Sequence, residues 1–226
     1  MANVIVYSAI FGGYDLPAPV IPVTGHWVLF SDRHGAEKYG WRVRLTSPGR
    51  LGPRRAARRV KVLAQCWFPQ AEYSIWVDGN VQLLADPEEV VAAWLADADL
   101  ATFGHLKRDC VYEEAAQCAK TGKDDVGVLE RQMVRYRALG YPPHAGLAET
   151  TVVVRRHTPL VAAFEDRWWS EIEAGSVRDQ VSFPVAAWAV GLRWQAVRGW
   201  VQRHQWFRYE RHGGKALRDR AKWAII

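Results

Sequence analysis

The chain has 226 residues, of which 49% are hydrophobic and 24% charged, with a formal net charge of +6. That balance excludes a disordered or low-complexity polypeptide, and the length suits one ordinary domain with a sizeable core. No run of roughly 18 apolar residues is available to span a bilayer, and the amino terminus lacks the basic-then-apolar pattern of a leader, so a cytoplasmic protein is expected.

Val4–Ile10 is the first of five apolar, β-branched runs that read as buried strands; the others are His26–Phe30, Tyr73–Val77, Leu100–Phe103 and Thr150–Val154. Behind the first come Phe11, Gly12, Gly13, Tyr14 and Asp15. Paired glycines allow positive φ and close approach of backbone to a ligand, as in a nucleotide-binding turn, although any tight turn uses them too. The GxGxxG and Walker A patterns are both absent, which argues against a dinucleotide or P-loop site. Asp32, after the second strand, suits a base or ribose contact or a helix cap.

Arg54–Trp67 carries Ala57, Val60, Ala64 and Trp67 at helical spacing and is expected as one helix. Arg55, Arg58 and Lys61 then share a face, which would clamp a diphosphate or form a solvated basic stripe. The next strand ends abruptly in Asp78-Gly79-Asn80, an Asp-x-Asn version of an Asp-x-Asp motif. Sugar transfer from a nucleoside diphosphate needs the leaving group's charge neutralised, and Mg²⁺ or Mn²⁺ held by one or two carboxylates plus phosphates does so. Asn80 keeps an oxygen but loses a charge.

Asp86-Pro87-Glu88-Glu89 opens a helix with a cap, a proline at its first position and acids in its first turn. After the fourth strand, His105, Arg108, Tyr112, Glu113 and Glu114 form a dense polar set suited to reading an acceptor. His144, Gly146 and Glu149 supply a glycine loop with a carboxylate. Pro159–Ala174 and Arg178–Val190 read as helices, the second bearing Asp179 and Gln180 at its start and Pro184 inside. Cys66, Cys110 and Cys118 show no CxxC spacing and are expected as thiols rather than as a disulfide or zinc site.

Strands alternating with helices imply one α/β domain with a largely parallel central sheet flanked by helices, whose ligand crevice lies beyond the carboxyl ends of the strands. The residues after the strands ending at 10, 30 and 77 would face one crevice. Residues 1–105 are read mainly as the donor-binding half and 106–226 as the acceptor and catalytic half. Basic residues recur from Arg193 to Lys222, mixed in Trp200–Ile226 with Trp206, Phe207, Trp223, Ile225 and Ile226. A packed helix explains this stretch, as does peripheral contact with an anionic membrane.

Taken together, the blocks Tyr7–Asp15, Phe30–Asp32, Arg55–Arg58 with Lys61, Ser74–Asn80, His105 with Arg108 and Tyr112–Glu114, Gly146–Glu149 and Arg178–Gln180 resemble the domain-of-unknown-function family 616. These are glycosyltransferase-like proteins of plants and bacteria, some of them linked to mucilage pectin. The resemblance implies a GT-A (Rossmann-like) fold and transfer of a sugar from a nucleotide-sugar donor to a glycan, lipid-linked or small-molecule hydroxyl acceptor. It would place Phe11, Gly12, Gly13, Tyr14, Asp32, Arg58, Lys61 and Asp78 at the donor. His105, Arg108, Glu113, Gly146 and Gln180 would meet the acceptor or sugar, with Asp179 and Glu149 at the reaction centre.

A Mn²⁺ or Mg²⁺ would take Asp78, Asn80 and a carboxyl-terminal histidine, His204 or His212. In an inverting enzyme Asp179 would be the general base; in a retaining one, which the Asp-Gln pair resembles, it would stabilise oxocarbenium charge. Two rivals remain. A sugar-phosphate nucleotidyltransferase would show a longer glycine-rich, arginine-bearing first loop; a basic nucleic-acid-binding domain would need only the arginine helix and the basic carboxyl terminus. No specific nucleic-acid partner is expected on the first reading.

Overall fold

A computed structural model of the chain describes residues 3–21 and 24–210. The strands among these are β1 (Val4–Ile10), β2 (His26–Ser31), β3 (Arg42–Leu45), β4 (Tyr73–Val77), β5 (Val81–Leu83), β6 (Leu100–Gly104), β7 (Ala148–Arg156), β8 (Gln195–Val197) and β9 (Phe207–Tyr209). The helices are α1 (Gly52–Val62), α2 (Ala64–Trp67), α3 (Pro87–Trp94), α4 (Val111–Lys120), α5 (Val126–Ala138), α6 (Pro159–Ala174) and α7 (Asp179–Val190). Seven strands form one sheet in the order β3-β2-β1-β4-β7-β6-β8, and β5 and β9 form a separate ribbon. Within the large sheet only β7 runs against the rest: it is antiparallel to both β4 and β6, while the other pairings are parallel. The expected mostly parallel α/β sheet is therefore present.

The central strands β1, β4, β6 and β7 are buried on both faces, which is why they read as largely continuous apolar runs rather than as alternating ones. On one face Val6, Ile75, Val77, Val152 and Val154 pack with α3 and the ribbon; on the other, Tyr7, Trp76 and Val153 pack with α1, α6 and α7. Local chemistry sets several helix starts. Asp86 accepts from Glu88 N ahead of Pro87, Asp125 accepts from Val128 N, and Thr158 accepts from Val161 N ahead of Pro159.

The structure departs from the sequence-based expectation in three places. The helix expected over Arg54–Trp67 is two, separated at Leu63 with φ −94° and ψ 55°. Helices α4 and α5 were not expected. Their apolar residues Val111, Ala115, Leu129 and Met133 meet Val181 and Val185 of α7 rather than the sheet. Finally, β3, β5, β8 and β9 have only three or four residues each, too short to show a period. His212, the basic residues from Arg211 to Lys222, and Trp223, Ile225 and Ile226 lie outside the described residues. No helix among the described residues is long and apolar enough to cross a membrane.

Candidate functional site

β1 runs into a turn at Gly12 and Gly13, whose φ of 66° and 61° lie where a side chain is strained. A Cβ on Gly13 would also sit 2.7 Å from Arg33 Nη1. Asp32, just past β2, closes the turn: its two carboxylate oxygens accept from Gly12 N at 3.1 and 3.0 Å. A small cavity of about 50 Å³ beside the turn is walled by Ile10, Gly13, Asp15, Leu16, Leu29 and Arg33, among others. Tyr14 is exposed, and its phenol lies close enough to Arg58 to act on that residue's charge. Phe11 is buried in the core on the α1 face, so it shapes the turn from beneath instead of meeting a ligand.

At the end of β4, Trp76 donates from Nε1 to Asp78 Oδ1 at 2.8 Å, and Asp78 N donates to Thr151 O at 2.9 Å. Gly79 has no room for a side chain, since a Cβ would fall 2.6 Å from Ile10 Cδ1. Asn80 is braced from beyond β9: its Nδ2 donates to Glu210 O at 2.6 Å, and its carbonyl accepts from Glu210 N at 2.9 Å. The loop is thus held from β1, β7 and the carboxyl-terminal ribbon together.

A polar cavity of about 330 Å³ opens at this edge of the sheet, with Arg58, Lys61, Asp78, Glu149, Arg178 and Asp179 in its wall. Because β7 runs backwards, its first residues reach the edge where its neighbours end. A register shift against β6 between Thr102 and Phe103 pairs Phe103 with Glu149. The resulting irregularity sets Glu149, Thr150 and Thr151 into the cavity wall, a common use of a bulge beside a site.

Asp179 is the hub. Lys61 Nζ is 2.5 Å from its Oδ2, Arg58 Nε is 3.1 Å from its Oδ1, and Thr150 Oγ1 donates to its Oδ2 at 2.9 Å. Burial alone would raise its pKa, but Arg58 and Lys61 outweigh burial and hold the carboxyl well below the usual range. Burial pulls the Lys61 ammonium down, with Asp179 and then Asp78, 3.7 Å away, opposing it. Glu149 sits in the opposite environment. Burial pushes it up, a hydrogen bond from Thr151 at 3.2 Å only partly offsets that, and the Asp78 charge adds to the rise. One cavity therefore holds an acid kept ionised and another kept basic.

On the far wall, His105 Nδ1 accepts from Arg108 N at 3.0 Å and Lys107 N at 3.3 Å. Its proton is thereby assigned to Nε2, 3.9 Å from Glu114 Oε2, and burial lowers its pKa, so the ring is a neutral hydrogen-bond donor. Arg108 clamps the buried Glu114, donating from Nε to its Oε2 at 2.7 Å. Gln180 lines the cavity with its Oε1 accepting from Arg178 Nη2 at 3.0 Å.

Several expected residues lie elsewhere. Glu113 is on the exposed side of α4 near His144, and the cavity receives Glu114 instead, one position on. Gly146 is a loop closure, its N donating to Asp109 O at 2.9 Å. His204 is edge-on to Trp94 and Phe103, with Nδ1 accepting from Trp206 N at 3.2 Å, and is not in the cavity wall. Arg55 turns away to the Ile172 and Gly175 carbonyls at the end of α6. No cluster of three or more His, Cys, Asp or Glu able to hold a metal occurs among the described residues. Asp78, one-third exposed, and Asn80 fit a Mg²⁺ or Mn²⁺ only as one or two oxygen donors to an ion bound largely by phosphates and water. Thr150 was missed as a site residue, and Glu114 was named only within the polar set after the fourth strand, with Glu113 taken as the sugar or acceptor contact. The acids at 113 and 114 looked equivalent until the helix set their faces, and Thr150 sat inside an apparently plain strand.

An open, mostly parallel sheet with acids and cations gathered where its strands end is the plan of a glycosyltransferase-like α/β domain. The chain belongs to the TOD1/MUCI70 glycosyltransferase-like domain family, whose model matches residues 39–198. Among curated relatives it is 31% identical over 140 residues to the Arabidopsis thaliana protein described as probable hexosyltransferase MUCI70, covering 58% of this chain and 24% of that one. It is also 31% identical over 134 residues to Arabidopsis thaliana alkaline ceramidase TOD1, covering 54% and 29%. The chain thus spans roughly a quarter of the length of the curated relatives it matches. Solved structures that overlap it include mouse xyloside xylosyltransferase 1 (TM-score 0.45, 10% identity, 87% of this chain and 84% of that one). A second is the bifunctional glycosyltransferase WbbM (0.47, 11%, 87% and 38%). Overlaps this loose carry no argument about the site.

Proposed function

We propose that the chain transfers a sugar, a hexose by analogy with its hexosyltransferase relative, from a nucleoside-diphosphate donor to a hydroxyl acceptor. The observation that carries this reading is the Asp179 hub: the buried Lys61 and the partly buried Arg58 share one ionised acid within reach of Asp78 at the end of β4. Arg178 adds a third cation to a wall that also carries Asp78, Glu114 and Glu149, and these cations are the groups that would meet a departing diphosphate.

The nucleoside would lie along the Gly12–Gly13 turn, whose shape Asp32 fixes. Arg58 and Lys61 would face the diphosphate, and Asp78 and Asn80 would hold a divalent ion against it. That ion, when bound, adds positive charge opposite the leaving oxygens. Glu149, its pKa raised by burial, would take the acceptor hydroxyl's proton as that oxygen bonds to the anomeric carbon and the sugar–phosphate bond breaks, its electron pair leaving on the diphosphate. Asp179 would remain ionised and stabilise positive charge on the sugar, since Lys61 and Thr150 already meet its Oδ2 and Arg58 is ion-paired with its Oδ1. His105 Nε2 would donate to a sugar or acceptor hydroxyl.

The ceramidase name of the second relative suggests a long-chain amide as an alternative substrate. The cavity argues against it, because Val201 is the only aliphatic wall residue among the described residues and these offer an acyl chain no apolar bed. The nucleic-acid reading loses the helix face on which it partly rested. Arg55, Arg58 and Lys61 are directed at protein groups and form no solvated stripe. A thermal-shift panel of nucleoside diphosphates, with and without Mn²⁺, tests the proposal. Binding to the native state raises the melting temperature; no shift with any of them would remove the donor half of this reading.

A further inference from the structure

At the break between α1 and α2 the Lys61 carbonyl and the Gln65 amide exchange their helical hydrogen bond for side-chain partners. In an unbroken helix Lys61 O would accept from Gln65 N, four residues on. Here Lys61 O accepts from Tyr7 Oη at 2.7 Å and from Arg155 Nη2 at 2.9 Å, while Gln65 N donates to Glu165 Oε2 at 3.0 Å. Both halves of the missing bond have thus been given to side chains. Those side chains are joined to one another: Arg155 Nη1 donates to Tyr7 Oη at 2.6 Å, and Arg155 Nε lies 3.3 Å from Glu165 Oε1.

Tyr7 on β1 and Arg155 on β7 share a sheet face, because Tyr7 pairs with Trp76 and Trp76 with Val153, two residues before Arg155. Tyr7, Arg155 and Glu165 are all essentially inaccessible to solvent, and none lines the polar cavity. Their contact with it runs through Lys61. That residue's carbonyl is held on one side while its ammonium meets Asp179, Thr150 Oγ1 at 3.0 Å and Asp78 on the other. A buried Arg–Glu pair adds little stability over apolar residues of the same volume, so its presence calls for another role. Burial raises Glu165 to about 7, a measure of how little solvent reaches the pair.

We propose that Tyr7, Arg155 and Glu165 are positioning residues for Lys61: they break the helix after Val62 and so hold the ammonium between Asp179 and Asp78. Ligand binding enters this proposal only through the nucleotide-sugar reading above, whereas the helix break does not depend on it. The test compares the parent with Lys61→Met, with the paired variant Arg155→Met/Glu165→Met, and with all three substitutions combined. The paired change removes both charges together and leaves neither stranded.

Affinity for uridine diphosphate and guanosine diphosphate is measured by titration calorimetry, and backbone Cα shifts over residues 62–65 by NMR. For whichever nucleotide binds, the paired variant weakens affinity about tenfold, Lys61→Met does the same, and the triple variant is no weaker than either. Cα shifts at 62–65 move to helical values in the paired variant and stay put in Lys61→Met. Parent-like affinity in the paired variant, or a triple loss equal to the product of the two, overturns the proposal. If neither nucleotide binds the parent, the functional reading fails while the NMR arm still decides: unchanged Cα shifts in the paired variant sink the positioning role. Should the methionine pair not fold, Tyr7→Phe removes a single hydroxyl and gives a two- to threefold loss with the same non-additivity; parent-like affinity in it would overturn the proposal equally.

Discussion

Asp179 and Glu149 are carboxylates in one cavity, and their surroundings drive them apart. Replacing Asp179 with Asn leaves the buried Lys61 and the partly buried Arg58 without their shared acid, and the expected loss is about 3 kcal/mol at pH 7, read from urea unfolding. Because its folded pKa is depressed, its contribution is present above the unfolded carboxylate value of about 3.9 and lost as pH falls through the lower folded value. The gap between parent and Asp179→Asn should therefore close in acid; a constant gap from pH 7 downward would show that the cations are stabilised in some other way. Glu149 has the opposite sign. Its raised pKa gives stability that is present below the unfolded value and lost as pH rises through the folded one, so Glu149→Gln should melt no lower than the parent at pH 8. The same change should cut kcat by about 10²–10⁴-fold and abolish the rise in rate with pH on the acid limb. An unchanged pH profile would rule Glu149 out as the base. Asp78 and Asp179 were legible because each follows an element boundary visible in the sequence. Which of Glu113 and Glu114 enters the cavity was not, because that depends on a helix whose partner is another helix.

Among the elements, those with an uninterrupted apolar run or a proline-marked cap could be located from the sequence. β1, β4 and α6 have the expected bounds, and α3 starts at the expected cap. The α1–α2 break could not be foreseen, since the residues that cause it, Tyr7, Arg155 and Glu165, lie 54, 94 and 100 residues from their backbone partners. The irregularity in β7 is equally non-local. Thr102 Oγ1 donates to Val152 O at 2.7 Å and to Glu149 O at 3.0 Å, spanning the displaced segment. Thr102→Val keeps the shape and removes the hydroxyl, leaving those buried carbonyls short of a donor. It should cost about 1–3 kcal/mol and weaken nucleotide binding through Glu149 and Thr150. A stability loss with unaltered binding would mean that the strand keeps its course without this bridge.

At the scale of the molecule, the sheet type was legible from alternating elements, whereas its closing piece was not. The family match ends at residue 198, yet the described chain continues through β9 to Glu210, and this segment braces the Asp78–Asn80 loop. Leu84 N donates to Trp206 O at 2.8 Å, and β9 pairs with β5 from Val81 to Leu83. Val201 and Phe207 are buried with Val81, Leu83, Trp94 and Phe103. Three-residue strands carry no periodic signal, so only tertiary contact reveals the ribbon. A chain ending at Arg198 should lose the burial of Val201 and Phe207, about 1.5–3 kcal/mol each, together with the two hydrogen bonds between the Glu210 backbone and Asn80. In the 226-residue chain Phe207→Ala should lower stability by about 3–5 kcal/mol and weaken nucleotide binding at temperatures where it is still folded. Far-ultraviolet circular dichroism confirms folding, and calorimetry at that temperature reads the affinity. If the shortened chain folds and binds as the parent does, the ribbon is dispensable and the loop at the end of β4 is held by β1 and β7 alone.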